Sequence, residues 1–124
     1  MIERLVRSQR PGTLLPYLAG ADEARVAGLF GLDLAAYREL LDGFERQVRQ
    51  AAEELLARPG FADEVDRLPL TGISHVVAIG ESTTADRLSW FEILRHVVAL
   101  RRPDDMVRFT NLAVPGCSTT QALA

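Results

Sequence analysis

The chain has 124 residues, with 14 basic and 17 acidic side chains, a formal net charge of −3, 48% hydrophobic and 25% charged residues. This is the composition of an ordinary globular chain with room for one hydrophobic core of modest size. All 14 basic residues are Arg, which excludes a lysine Schiff base and a P-loop lysine, and one Cys with two His cannot form an intramolecular disulfide or a four-ligand Cys/His zinc site.

The first half reads as helix. Met1 to Gln9 forms one candidate, ended near Arg10-Pro11-Gly12. Thr13 can cap a short turn through Leu14-Leu15-Pro16-Tyr17-Leu18, where Pro16 is tolerated in the first turn. Asp22 can cap another, through Val26 to Leu29. The clearest segment starts at Asp33. Leu34, Tyr37, Leu41, Phe44, Val48, Ala52 and Leu55 follow at steps of three and four, one face of a long helix. Arg58-Pro59-Gly60 ends it, and Arg38, Glu39, Glu45, Arg46, Arg49, Glu53 and Glu54 form its expected solvated face. Phe61 to Leu68 reads as one more helix before Pro69.

The second half changes period. Ile73 to Ile79 is short, apolar and β-branched, the pattern of a buried strand. Gly80-Glu81-Ser82-Thr83-Thr84 reads as a turn. Ala85 to Leu100 reads as a helix with Leu88, Phe91, Leu94 (or Ile93), Val97 and Val98 inward. Arg101 and Arg102 suit the negative end of its dipole, and Pro103 stops it. Val107 to Val114 reads as a second strand, Pro115 to Thr120 as a turn, and Gln121 to Ala124 as the beginning of a helix. The sum is a β-α-β unit, with parallel strands and a right-handed crossover.

In parallel α/β sheets, ligands bind at the carboxyl ends of the strands. Two turns rich in small residues and hydroxyls stand there, Gly80-Glu81-Ser82-Thr83 and Pro115-Gly116-Cys117-Ser118. Ser82 follows a buried strand and precedes a helix, a position that suits a nucleophile whose attack builds an oxyanion. The same position also suits a phosphate-binding turn or a capping serine. Cys117 reads as a packed or loop thiol, and His75 and His96 as structural or surface residues.

Val77-Ala78-Ile79-Gly80-Glu81-Ser82-Thr83-Thr84 resembles the first conserved block of the SGNH hydrolases, the GDSL lipases and esterases. There a strand ends in Gly-Asp-Ser and the Ser is the nucleophile. Arg108-Phe109-Thr110-Asn111-Leu112-Ala113-Val114-Pro115-Gly116-Cys117-Ser118 resembles the second block, where a strand runs into an Asn-Leu-(small)-x-x-Gly pattern. Trp90-Phe91-Glu92-Ile93-Leu94 resembles the helix between them. The resemblance covers residues 73–124. It implies attack by Ser82 on an acyl carbonyl, with the backbone N–H groups of Ser82 and Gly116 as oxyanion donors. It also implies a small-molecule ester substrate and neither metal nor organic cofactor.

The chain departs from this pattern in two ways. Glu81 stands where the family usually has Asp, in the turn with Gly80. The third-block Asn and the Asp-x-x-His that completes the triad are absent: Gly72 stands three residues before His75, and Ile93 three before His96. Two parallel strands and one crossover helix also leave apolar edges that need a partner. The expectation is therefore a helical N-terminal region, residues 1–70, and the first β-α-β portion, residues 71–124, of an α/β, flavodoxin-like three-layer sandwich that is incomplete here. A missing C-terminal segment completes the sheet, or two copies of the chain share it. This chain alone, lacking triad His and Asp, is then expected to be inactive.

The rival expectation is a non-catalytic helical interaction or dimerisation module with a vestigial α/β part. A further rival is a phosphate-binding α/β protein using the Gly80 and Gly116 turns. The acidic balance and scattered Arg residues weigh against nucleic acid. No apolar run reaches the length of a membrane span, and the charged start from Met1 to Arg7 lacks a signal-peptide core, so a cytoplasmic location is expected.

Overall fold

The computed structural model describes residues 1–11 and 21–116. The expected turn after Thr13, the thiol of Cys117, Ser118 and the expected helix at Gln121–Ala124 lie outside these residues. The elements in chain order are α1 (Ile2–Ser8), α2 (Glu23–Leu29), α3 (Leu34–Leu56), α4 (Phe61–Asp66), β1 (His75–Ala78), α5 (Ser82–Ala85), α6 (Trp90–Arg101), a 3-10 turn (Pro103–Asp105) and β2 (Arg108–Asn111).

Two of the helix starts follow from short acidic caps. Asp22 accepts a hydrogen bond from the Arg25 amide and Asp33 from the Ala36 amide, both at 2.8 Å, each satisfying one otherwise orphaned N–H. From Asp33 the helix runs 23 residues and buries Tyr37, Phe44, Val48 and Ala52, four of the seven residues expected on its inner face. Its outer face is exposed as expected. Two residues there do more: Arg38 reaches Glu23 on α2, and Glu45 reaches Arg95 and His96 on α6.

α3 is the long wall against which α1, α2, α4 and α6 pack. Near its start, Val6 of α1, Ala27 of α2, Tyr37 and Phe44 form one buried cluster, joined by Leu88 from the second half of the chain. Near its end, Ala52 meets Val65 of α4 and Val97 of α6. The two sequence halves therefore share their packing through α3 and α6. Arg102, just past α6, donates to the carbonyls of Val65, Leu68 and Leu70, and Arg101 forms a two-point pair with Asp66. The end of α4 is thus tied to the end of α6.

The strands are parallel, as the β-α-β reading expects, with Val76 opposite Phe109 and Ala78 opposite Asn111. The regular strands are shorter than Ile73–Ile79 and Val107–Val114, four residues each. Single backbone hydrogen bonds extend the pairing on either side: Arg108 N to Ser74 O, Leu112 N to Ala78 O, and Val114 N to Gly80 O. Phe109 of β2 packs on Phe91 of α6, with ring centroids 5.7 Å apart. The described residues thus form an α/β arrangement, mostly helical, with a two-stranded parallel sheet that packs on α6 on one face through Phe109 and Phe91. On the other face, Val77, Ile79 and Leu112 are 45%, 63% and 51% exposed, interspersed with His75, Arg108 and Thr110; Ile73, in the turn before β1, is 90% exposed.

The expected single helix from Ala85 to Leu100 is corrected. A short helix, α5, already begins at Ser82, inside the expected turn, and ends at Ala85; α6 begins anew at Trp90. Asp86 accepts from the Leu88 amide at 2.8 Å, and Ser89 caps α6 by accepting from the Glu92 amide. These side chains offer the backbone partners other than the next helical turn, and that competition breaks the helix. No helix among the described residues is long and apolar enough to cross a membrane.

Candidate functional site

The site is built where β1 runs into α5. Glu81 is the N-cap of α5, extended at φ −110° and ψ −155°. Its carboxylate accepts from the Ser82 hydroxyl at 2.5 Å, from the Thr83 hydroxyl at 2.6 Å and from the Thr83 amide at 3.3 Å. Those donors, the Ser82 hydroxyl foremost, lower the Glu81 pKa from 4.5 to about 2, because each favours the charged carboxylate. Ser82 is exposed at the carboxyl end of β1.

Gly80 is sterically required at the turn. A Cβ there would stand 2.9 Å from the Thr84 hydroxyl oxygen. Thr84 is buried and accepts from the Trp90 indole N–H at 3.1 Å. Gly116 lies beyond β2 at φ +79°, in the left-handed region that favours glycine. The parallel register puts both turns at the same end of the sheet. The last pairing bond, Val114 N to Gly80 O at 3.0 Å, lies two residues before Gly116 on one strand and two before Ser82 on the other.

Asn111 joins the two turns. Its side-chain N–H group donates to the Thr84 carbonyl at 2.7 Å and to Glu92 at 3.4 Å, while its side-chain oxygen accepts from the Ala113 amide at 3.0 Å. One side chain thus holds α5, α6 and the segment leading to Gly116. The sequence marks Asn111 only as part of the second-block pattern, with no role attached.

Glu92 was not a sequence candidate. It is 7% exposed and accepts from Arg10 at 2.9 Å and from Arg95 at 3.0 Å. Burial pushes its carboxyl up, but Arg10, Arg95 and Asn111 outweigh that and leave it below the ordinary range. The N-terminal segment crosses the back of the site. Arg10 also donates to the Ala85 carbonyl, Arg7 pairs with Asp86, and the Arg87 amide donates to the Arg7 carbonyl. The only sequence signal for this would have been an acidic residue on the buried side of α6.

Neither histidine is placed beside Ser82. His75, at the far end of β1, shares a 2.6 Å hydrogen bond with the Thr110 hydroxyl. His96 lies on α6 between the Glu92 carbonyl, at 2.9 Å, and the Glu45 carboxylate, at 2.7 Å. Four surface clefts among the described residues are lined by residues other than Ser82 and Glu81. Among the described residues, no group of three or more His, Cys, Asp or Glu is placed to hold a metal ion. No family model matches the chain, and neither do the curated proteins or the solved structures searched.

Proposed function

We propose that this chain carries the nucleophile-bearing part of a serine ester hydrolase of the SGNH type. In this reading Ser82 Oγ attacks the ester carbonyl, and the backbone N–H groups of Ser82 and Gly116 receive the developing oxyanion. The alcohol leaves, and water then releases the acid from acyl-Ser82. The observation that supports it is the parallel pairing up to Val114 and Gly80, with Asn111 bridging the two turns that follow. The substrate is a small ester, and the chemistry asks for no cofactor.

A serine needs a base near neutral pH. Glu81, with its pKa near 2, is too weak a base to take the Ser82 proton at pH 7. Both histidines are held elsewhere. The reading therefore places the triad His and Asp, and the remaining strands of a flavodoxin-like α/β/α sandwich, outside these 124 residues, in a cytoplasmic protein. Hydrolysis of p-nitrophenyl butyrate tests it. The 124-residue chain should match the buffer rate, with or without Ser82→Ala. A longer protein that continues it with an Asp-x-x-His segment should turn over ester and lose at least a thousandfold with Ser82→Ala. Turnover by the longer protein that survives that substitution rejects the reading.

The exposed sheet face favours a second reading, a non-catalytic interaction or dimerisation module. Val77, Ile79 and Leu112 share that face and are about half exposed among the described residues. In this case the face is a contact between copies, and no longer form of the protein gains esterase activity.

A further inference from the structure

Behind the site, three guanidinium groups meet in one cleft. Arg10 comes from the N-terminal segment, Arg87 from the connection between α5 and α6, and Arg95 from α6. They line a cleft of about 220 Å³ with Glu45 and Glu92, and Leu41 and Phe44 of α3 complete its wall. Three positive charges thus face two negative ones.

The two carboxylates are already engaged. Glu92 takes Arg10 and Arg95, and Glu45 takes Arg95 and His96. Arg87 is left with the Val6 carbonyl, 3.0 Å from its Nε. No carboxylate pairs with it among the described residues, and segments 12–20 and 117–124 contain no Asp or Glu. Burial lowers the Arg87 pKa, and the neighbouring Arg10 charge lowers it further; Tyr37, Glu92 and Glu45 only partly offset this. The Arg87 guanidinium is thus half-buried, without a paired carboxylate among the described residues, and its terminal nitrogens are not sealed from the cleft. The fork of Arg87 also matches a carboxylate in shape.

We propose that this cleft binds a small monocarboxylate, held by Arg87 with Arg10 and Arg95 beside it, and with its apolar body against Leu41 and Phe44. The single excess positive charge selects a monoanion. The apolar wall selects a carboxylate with a hydrocarbon part over inorganic phosphate, which has none. The proposal does not depend on the chemistry of Ser82.

Titration of the wild-type chain with sodium benzoate tests it, followed by the Arg87 Nε–Hε resonance, with sodium chloride at equal ionic strength as reference. A saturable shift with benzoate alone is expected, with acetate at least threefold weaker and phosphate weaker still. Arg87→Gln should weaken benzoate at least tenfold, read from backbone amide shifts of residues 85–95. A wild-type response no larger than that of chloride overturns the proposal. So does phosphate binding more tightly than benzoate, or undiminished benzoate binding by a folded Arg87→Gln chain. Should that variant not fold, the wild-type comparison of benzoate, acetate and chloride decides alone.

Discussion

Glu81 and Gly80 show how closely the candidate site depends on single side chains. The carboxylate of Glu81 holds the hydroxyls of both Ser82 and Thr83, so it caps α5 and fixes the serine at once. Its pKa is lowered, so its contribution to stability is present above the unfolded-state value. That contribution is lost as pH falls from about 4.5 through about 2. Replacing it with Gln should flatten that part of the acid limb, measured as the urea midpoint against pH. Side-chain carboxyl shifts of the wild-type chain should give a midpoint near pH 2 for Glu81, and a midpoint above 4 would refute the capping account. Gly80→Ala acts by sterics instead. The new methyl meets Thr84, which is buried and held by Trp90, so Thr84 has to move. A loss of about 1–3 kcal/mol is expected from urea denaturation, with a changed Trp90 emission spectrum as the local signature.

At the scale of elements, caps and periodicity decide which helices were legible. Asp22 and Asp33 are visible as caps because a short acidic side chain stands just before an apolar period, and both act so. Asp33→Ala should cost about 1 kcal/mol in thermal or urea unfolding. Ser89→Ala should cost less, about 0.5 kcal/mol, because its bond to the Glu92 amide is 3.4 Å long against 2.8 Å at Asp33. The break between α5 and α6 was hidden because Leu88 and Phe91 keep a helical spacing across it. What breaks the helix is Asp86 and Ser89 bonding to nearby amides, which apolar periodicity does not register. The first strand was legible from its β-branched run but its burial was not: Val77 and Ile79, expected inside, are 45% and 63% exposed because among the described residues only one sheet face is covered. The polar network was not, since Arg10 and Glu92 are 82 residues apart and nothing local links them. Of the candidate site, the positions of Ser82 and Gly116 follow from the strand–turn pattern. The engagement of His75 and His96 elsewhere required the three-dimensional arrangement.

Among the described residues the sheet is unevenly covered: one face is packed and the other is bare. Phe109 packs on Phe91 of α6 and Ala78 is buried on the covered face, whereas Val77, Ile79 and Leu112 meet solvent on the other. An exposed apolar patch of Val77, Ile79 and Leu112, beside His75 and Thr110 and next to unpaired strand edges, is a template for association. The 124-residue chain should therefore self-associate, and sedimentation velocity should show a weight-average mass that rises with concentration. Val77 and Ile79 project from the bare face, away from α6, so changing both to Lys removes apolar contact and adds like charges without opening the core. The double variant should sediment as a monomer across the same concentrations, with a thermal midpoint within a few degrees of the parent. If its mass still rises like that of the parent, association runs through another surface, and the bare face is not the contact. If it is monomeric but melts far lower, Val77 and Ile79 support the fold itself, and their exposure understates their packing. The monomeric, equally stable outcome separates fold from association: α3 and α6 hold the chain together, and the bare face of β1 and β2 governs what it meets.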